Sequence, residues 1–248
     1  MTSSQTQREQ PRINVSASPE ELADACARDI LDSLTQALQA RSKATLAISG
    51  GSTPKLLFSK MAQAGFDWTN VHVFWVDERC VLPTDDQSNY KLANETLLRA
   101  AGIPAHNVHR VHGELVPEEG AIHYIEEIRQ FFELHETELP VFDVIHRGIG
   151  PDAHTASLFP GEPLIANRTG IAAAVWVEKL RSHRVTLLPG VLEQGRHTVI
   201  QAQGEDKAEP VWNVLRGDED PFRFPCQIAA RHSSKAAWFL DQAAASKL

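Results

Sequence analysis

The sequence predicts a single α/β domain built on a mainly parallel, Rossmann-like sheet flanked by helices. Short apolar runs of strand length alternate along the chain with amphipathic stretches of helical length. Such alternation is typical of right-handed βαβ crossovers, which produce a parallel sheet. No internal repeat and no Gly/Ser-rich linker divides the 248 residues, and one α/β domain commonly reaches this size. We therefore assign residues 13–248 to one domain and the polar residues 1–12 to a disordered tail.

The first predicted helix begins at Ser18-Pro19-Glu20-Glu21. Ser supplies the N-cap, Pro the first helical position and Glu the carboxylate of a capping box. Apolar residues then recur at four-residue steps from Leu22 to Leu38, as in an amphipathic helix. A short buried strand is expected at 44–48, and Thr53-Pro54 has the form of an N-cap and first position of the next helix.

The same alternation continues towards the C-terminus. Strands are predicted at 71–76, 106–111, 141–145, 171–177, 185–188 and 197–201, and a helix near 88–101. Another helix starts at Pro117, with Ile122, Ile125, Ile128 and Phe132 expected to face the core. The charged segment 77–87 is predicted to be a loop, and 236–240 fits either a strand or a helix.

The composition narrows the class of protein. The chain has 24 Lys and Arg against 32 Asp and Glu, a net charge of −8, and no basic block, which argues against a nucleic-acid partner. No apolar stretch approaches a membrane span, and residues 1–16 lack the apolar core of a signal peptide. Three widely spaced cysteines suit a reducing compartment. We expect a cytoplasmic protein with no membrane partner.

Three polar clusters directly follow apolar runs, at the strand ends where open parallel sheets bind ligands. The first is Ser49-Gly50-Gly51-Ser52-Thr53-Pro54. Its glycines allow close backbone approach, and the following helix offers free N–H groups and a positive dipole end, which suits a phosphate. It is not a P-loop, because G-x-x-x-x-G-K-[ST] is not satisfied. A plain strand-to-helix turn explains this segment equally well.

The second and third clusters contain the ionisable groups. Asp77-Glu78-Arg79 reads as a solvated loop or as a polar-ligand site in which Arg79 contacts an anion. The third, at 148–157, places Asp152 two residues before His154, so that a carboxylate can orient an imidazole as general base. Its formal match to a dinucleotide fingerprint is discounted because Pro151 interrupts it and no acidic residue follows at the required distance.

Other kinds of catalytic site find little support. The nucleophile elbow G-x-S-x-G is absent, and so are H-E-x-x-H and C-x-x-C. His106, His109 and His112 recur at three-residue steps across a predicted strand and loop. We interpret them as a surface feature, and we expect no metal and no cofactor.

Taken in order, these segments resemble the 6-phosphogluconolactonase family, which is related to glucosamine-6-phosphate deaminases and ribose-5-phosphate isomerases. The matching segments are the three clusters, with the third extending to Gly161, together with Ser88-Asn89-Tyr90, 204–208, 184–187 and 238–241. The resemblance implies hydrolysis of 6-phospho-D-glucono-1,5-lactone to 6-phospho-D-gluconate, the second step of the oxidative pentose phosphate pathway. Its only implied partner is that small sugar-phosphate lactone.

The resemblance also implies roles for residues. His154 would deprotonate the attacking water while Asp152 holds its tautomer. The implied substrate-binding residues are Gly50, Gly51, Ser52, Thr53, Asp77, Arg79, Arg184 and Lys207.

The chain departs from the family pattern at two places. The family usually has Gly where Ala153 stands, and we expect Ala153 to have adopted an ordinary negative φ, since a Cβ at positive φ is uncommon. Apolar residues are usual where His146 and Arg147 stand. These two are expected either to face solvent or to add positive charge near the ligand.

Two alternative functions stay open. A sugar-phosphate isomerase or deaminase would use the same phosphate cradle, although related deaminases tend to have Tyr where this chain has Arg79. A non-catalytic sugar-phosphate-binding protein would have lost the base, whereas His154 is present. The sequence does not decide between a monomer and a homodimer.

Overall fold

The computed structural model describes residues 10–51, 53–231 and 233–248. Within these ranges the chain folds into a large sheet, a small sheet and the helices that cover them. The strands are β1 (Arg12–Ser16), β2 (Ala44–Ile48), β3 (Val71–Trp75), β4 (Asp77–Arg79), β5 (Val108–His109), β6 (Val144–Gly148), β7 (Ala172–Val177), β8 (Ser182–Leu187), β9 (His197–Ala202) and β10 (Ala236–Asp241). The α-helices are α1 (Pro19–Ala40), α2 (Pro54–Gln63), α3 (Asn89–Ala93), α4 (Pro117–Phe132), α5 (Pro189–Gln194) and α6 (Ala208–Leu215), and α3 continues into a π-helical turn at Asn94–Leu98.

The large sheet has seven parallel strands in the order β1-β10-β9-β6-β2-β3-β5. Its two faces are both buried, as alternate side chains of β10 demonstrate. Ala237 and Phe239 belong to a hydrophobic cluster with α1, α2 and α4, whereas Trp238 and Leu240 belong to a second cluster with α6. Since successive side chains of a strand point to opposite faces, helices cover the sheet on both sides. The predicted Rossmann-like α/β fold is confirmed.

The small sheet is antiparallel, in the order β4-β8-β7. It corrects the prediction of a loop at 77–87, because Asp77 pairs with Thr186 and Arg79 with Arg184. Three consecutive charged residues indicate a solvated loop when water supplies their hydrogen bonds. Here the carboxylates of Asp77 and Glu78 are buried and receive hydrogen bonds from neighbouring protein groups.

Several predicted elements are shifted. The strand predicted at 141–145 lies at Val144–Gly148, and the ambiguous segment near 236–240 is the strand β10. In α4, Ile122 is 56% exposed, whereas Tyr124 is buried and its hydroxyl donates to the Trp75 carbonyl at 2.7 Å. The buried face of α4 is therefore rotated away from the position predicted for Ile122.

The N-terminal strand extends into the predicted tail. Arg12 already belongs to β1, which pairs in parallel with β10, 225 residues further along the chain in register. The sequence of these five residues gives little indication of a strand, because the strand with which β1 pairs is so distant along the chain. Residues 1–9 of the predicted tail lie outside the described residues.

Among the described residues, no helix combines the length and the apolar character needed to cross a bilayer.

Candidate active site

The carboxyl ends of several strands meet at one open cleft of about 230 Å³. The predicted site residues that line it are Gly50, Gly51, Thr53, Asp77, Arg79, His154, Arg184 and Lys207. Asp152 is not part of the cleft lining, but its carboxylate contacts the His154 ring. Ser52 lies outside the described residues. Segments far apart in sequence thus converge at the edge of the sheet where parallel folds bind ligands.

His154, which lines the cleft, is paired with the carboxylate of Asp152. His154 Nδ1 lies 2.5 Å from Asp152 Oδ1, and the Lys179 ammonium binds the other carboxylate oxygen. Partial burial alone would raise the pKa of Asp152, but hydrogen bonds from His154 and Lys179 outweigh it and hold that pKa well below its usual range. A charged carboxylate only accepts hydrogen bonds. Nδ1 is therefore the protonated nitrogen, and Nε2 of the neutral ring is free to accept a proton.

A glycine makes room for the His154 ring. A Cβ added to Gly150 would lie 1.9 Å from His154 Nδ1 and 2.0 Å from Cε1, distances that no side chain can tolerate. The Gly150 N–H also donates to the His154 carbonyl at 2.8 Å, and the Ala153 N–H donates to the Gly150 carbonyl at 2.9 Å. The turn that follows β6 therefore packs the imidazole ring of His154 against the backbone of Gly150.

Ala153 corrects the expectation of an ordinary backbone conformation. Its φ is +62°, in the left-handed region, and the residue is buried. Ala153 lies within the turn closed by the two hydrogen bonds at Gly150, and its carbonyl accepts a further bond from the Cys226 N–H at 2.9 Å. The loop keeps a conformation that suits glycine, and the Cβ makes it strained.

Asp77 and Arg184 face each other across the small sheet. Asp77 is buried, and its Oδ2 accepts from Ser157 Oγ at 2.7 Å and lies 3.8 Å from Arg184 Nη1. Burial lowers the pKa of Arg184, and the charge of Asp77 opposes that shift. The Nε groups of Arg184 and Arg79 are buried and have no hydrogen-bond partner in the described structure. Both arginines line the cleft, and guanidinium groups there favour an anionic ligand.

Glu78 has a structural task, unlike its two neighbours. Its carboxylate accepts from the backbone N–H groups of Arg79, Asn89 and Tyr90 at 2.7–2.8 Å, and from Ser88 Oγ at 3.1 Å. Burial raises the pKa of Glu78, although these bonds act in the opposite direction. The residue anchors the start of α3 to β4 and does not line the cleft.

The glycine-rich turn after β2 closes the cleft on one side. A Cβ at Gly50 would lie 1.9 Å from Asn89 Oδ1, and Gly51 has a φ of +104°, so both positions need glycine. Thr53 precedes α2, but its side chain makes no capping hydrogen bond. On another side, Lys207 ends a short 3₁₀ turn after β9, and its Nζ lies 2.7 Å from Asp206 Oδ2.

Other residues line the cleft without having been predicted as site residues, among them the polar side chains of Asn89, His146 and Gln201. Asn89 Nδ2 donates to the Asp77 carbonyl at 2.8 Å, while its Oδ1 is buried and unpaired within the described structure. Asn89 does belong to one of the segments that carried the family resemblance, and this was the only sequence signal for it.

The expectations for His146 and Arg147 were wrong. Both lie inside β6 and are buried, so neither faces solvent. Burial lowers the pKa of His146 to about 4, so its ring is neutral, with Nε2 3.4 Å from Gln201 Oε1. The Arg147 guanidinium donates to the Ile228 carbonyl and is absent from the cleft lining. These expectations were wrong because the strand was predicted at 141–145, so that His146 and Arg147 were placed after its end, whereas β6 includes both.

Comparison with known proteins identifies a family. Residues 17–238 match the family model described as glucosamine-6-phosphate isomerases/6-phosphogluconolactonase. The human 6-phosphogluconolactonase is 35% identical over 246 residues, covering 95% of this chain and 93% of the relative. A 6-phosphogluconolactonase of Synechocystis is 30% identical and covers 96% of this chain and 98% of the relative.

Solved structures agree with this. The 6-phosphogluconolactonase of Trypanosoma brucei superposes with a TM-score of 0.84 at 26% identity, covering 97% of this chain and 99% of that one. A monomeric glucosamine-6-phosphate deaminase superposes with a TM-score of 0.80 at 18% identity, covering 96% and 100%. The second likeness concerns the fold alone.

Proposed function

The chain belongs to the 6-phosphogluconolactonase family, and we propose that His154 is the general base of its lactone hydrolysis. The reaction converts 6-phospho-D-glucono-1,5-lactone to 6-phospho-D-gluconate in the pentose phosphate pathway. The observation that carries the proposal is the 2.5 Å contact between His154 Nδ1 and Asp152 Oδ1 in the wall of the cleft. It leaves Nε2 as the proton acceptor.

The hydrolysis proceeds in two proton transfers at this nitrogen. Nε2 takes a proton from a water molecule while the water oxygen attacks the C1 carbonyl of the lactone. The tetrahedral intermediate then collapses, the bond from C1 to the ring oxygen breaks, and the imidazolium returns its proton to that oxygen as the C5 hydroxyl. Asp152 stabilises the imidazolium and keeps the ring in one orientation. Neither a metal nor a cofactor enters these steps.

The phosphate of the substrate carries a charge of about −2. Binding therefore requires positively charged groups in the cleft that offset this charge. Arg79, Arg184 and Lys207 converge on the cleft, and the turn at Gly50 and Gly51 brings backbone close to the ligand. Asp77 contributes by holding Arg184 in place, since its Oδ2 lies 3.8 Å from Arg184 Nη1, and it lines the cleft where the ligand would bind. Ser52 and Thr53 complete the proposed binding set.

One position favours the lactonase over the deaminase alternative. Arg79 follows Asp77 and Glu78, and its side chain is tied to the Gln87 carbonyl while it lines the cleft. Related deaminases tend to have Tyr where this chain has Arg79. We therefore favour the lactonase over both a sugar-phosphate deaminase and a non-catalytic sugar-phosphate-binding protein.

The test generates the lactone in situ from glucose 6-phosphate and follows acid release above the spontaneous rate. We expect enzyme-dependent hydrolysis that persists after dialysis against a chelator, and no ammonia release from glucosamine 6-phosphate. Release of ammonia, or binding of the sugar phosphate without any turnover, would favour one of the alternatives.

We also infer a cytoplasmic enzyme whose partner is this small molecule and not a nucleic acid. A monomer and a homodimer are the two alternatives for its assembly. Light scattering on the eluting protein distinguishes the two, and electrophoretic shift assays with DNA and RNA are expected to show no binding.

A further inference from the structure

Outside the cleft, a cluster of side chains of metal-ligand type lies between α4 and the segment that follows β5. His123 and Glu127 are four residues apart on α4, so they lie on the same face of the helix. His112 approaches them from the other segment. One nitrogen or oxygen atom from each of the three lies within 4.8 Å of the others, and the two imidazole rings are 4.4 Å apart. None of the three lines the catalytic cleft.

Glu127 is held in place by a chain of histidines. His109 Nδ1 lies 2.9 Å from Glu127 Oε1, and His72 Nδ1 lies 2.9 Å from His109 Nε2. Since the carboxylate accepts, His109 donates from Nδ1, and its Nε2 accepts from His72. The His109 ring also stacks on the buried Phe74 at 4.2 Å. One oxygen of Glu127 is thereby fixed, and the second oxygen remains to be offered to another group.

His112 is positioned by close backbone packing against α4. A Cβ at Gly120 would lie 3.0 Å from the His112 carbonyl oxygen, so glycine brings the segment against the helix. The neighbouring Glu114 is engaged by Arg110 through two bonds of 2.6 and 2.8 Å. That carboxylate is therefore committed to a guanidinium, although it still lies 3.4 Å from His112 Nδ1.

From this geometry we propose that His112, His123 and Glu127 bind a divalent metal ion of the zinc class. Two imidazole nitrogens and one carboxylate oxygen form a ligand set that suits Zn²⁺, with water completing a tetrahedron. Ligand atoms around zinc lie about 3.3 Å apart, so the cluster must contract slightly. The exposed His123 side chain can make that movement. The hydrogen bond from His109 to Glu127 has the form that commonly orients metal ligands.

The bound ion would tie α4 to the segment after β5 and would take no part in lactone hydrolysis. The site was not predicted from the sequence. The three-residue spacing of His106, His109 and His112 groups His112 with two histidines that are not ligands of the proposed site. The ligands that join His112 come from α4, 11 and 15 positions further along the chain. His109 serves as a support to Glu127.

Calorimetric titration with zinc chloride tests the site on the full chain, without a histidine tag and freed of metal by a chelator. We expect one ion per chain, and binding weakened about tenfold or more in His123→Ala and in Glu127→Gln. His135→Ala is the matched control, because it removes an exposed histidine outside the cluster, and it should bind as the parent does.

Thermal unfolding gives a second measurement. About a hundredfold excess of zinc over its Kd should raise the parent Tm by about 5 °C or more, and should leave the Tm of His123→Ala much less changed. Absence of binding to the parent, equal binding by His123→Ala and His135→Ala, or loss of binding in His154→Ala alone would each overturn the proposal. Metal-free protein should keep its lactonase activity, so failure here leaves the proposed mechanism untouched.

Discussion

At the scale of single residues, the proposed chemistry depends on one imidazole nitrogen. His154→Ala removes the base but leaves the cationic residues that bind the phosphate. We expect kcat to fall by about 10²–10⁴ while KM changes little. Steady-state kinetics in the coupled assay measure both. His183→Ala, which removes an exposed histidine of β8, should retain parental kcat. A His154→Ala variant that keeps more than about a third of kcat would exclude this residue as the base.

Ala153 allows a test of backbone strain. At a φ of +62°, Ala153→Gly relieves about 1–2 kcal/mol of strain, against about 0.8 kcal/mol of lost methyl burial and some gain in unfolded-state freedom. We therefore expect a small rise in the free energy of unfolding, up to about 1 kcal/mol. Ala64→Gly, at a φ of −73°, should lower it instead. Urea midpoints that fall equally in both variants would contradict the strain.

Local sequence was sufficient for some of these residues and insufficient for others. Asp152 and His154 are two positions apart on a turn, so their pairing could be predicted from the sequence. Ala153 could not, because its φ is imposed by hydrogen bonds that depend on the closed turn. His146 was missed because its burial and its neutral ring result from packing within β6, next to Gln201 of β9.

At the scale of elements, the turn after β6 fixes the position of the His154 ring. In Gly150→Ala the new Cβ would lie 1.9 Å from His154 Nδ1, so the ring must move away from this position and from Asp152. We expect kcat to fall by about 10²-fold, as when a base is misplaced, with the chain still folded by circular dichroism. In Gly148→Ala, where the nearest atom is 3.8 Å from the added Cβ, the loss should be far smaller. Equal losses would show that the ring does not depend on Gly150.

The elements that could be predicted are those whose signals are local. α1 begins at its predicted cap, where Ser18 Oγ accepts from the Glu21 N–H at 3.2 Å, and β2 spans the predicted five residues. β4 was missed because its charged residues are satisfied by Ser157, Ser88 and the backbone of α3. Such partners are assembled only by the tertiary fold. The same fold turns a charged strand end into one wall of the cleft.

At the scale of the molecule, the distribution of charge matters more than its sum. The chain carries a net charge of −8, which would repel an anionic substrate. The cleft reverses this locally, because Arg79, Arg184 and Lys207 all line it. The sequence contains these cations in three separate segments, and only the family resemblance predicted that they converge.

This local reversal predicts a salt dependence confined to substrate binding. Added salt screens the attraction between the cleft and the phosphate, so KM should rise by about threefold or more between low and moderately high ionic strength, with kcat nearly constant. Gluconolactone without its phosphate is the control, and its KM should respond far less. In Arg79→Ala the slope of log KM against log salt should decrease, because one fewer charge is screened. If salt raises KM equally for both lactones, it acts on the fold or on the hydrolytic step, and the cations do not serve to hold the phosphate.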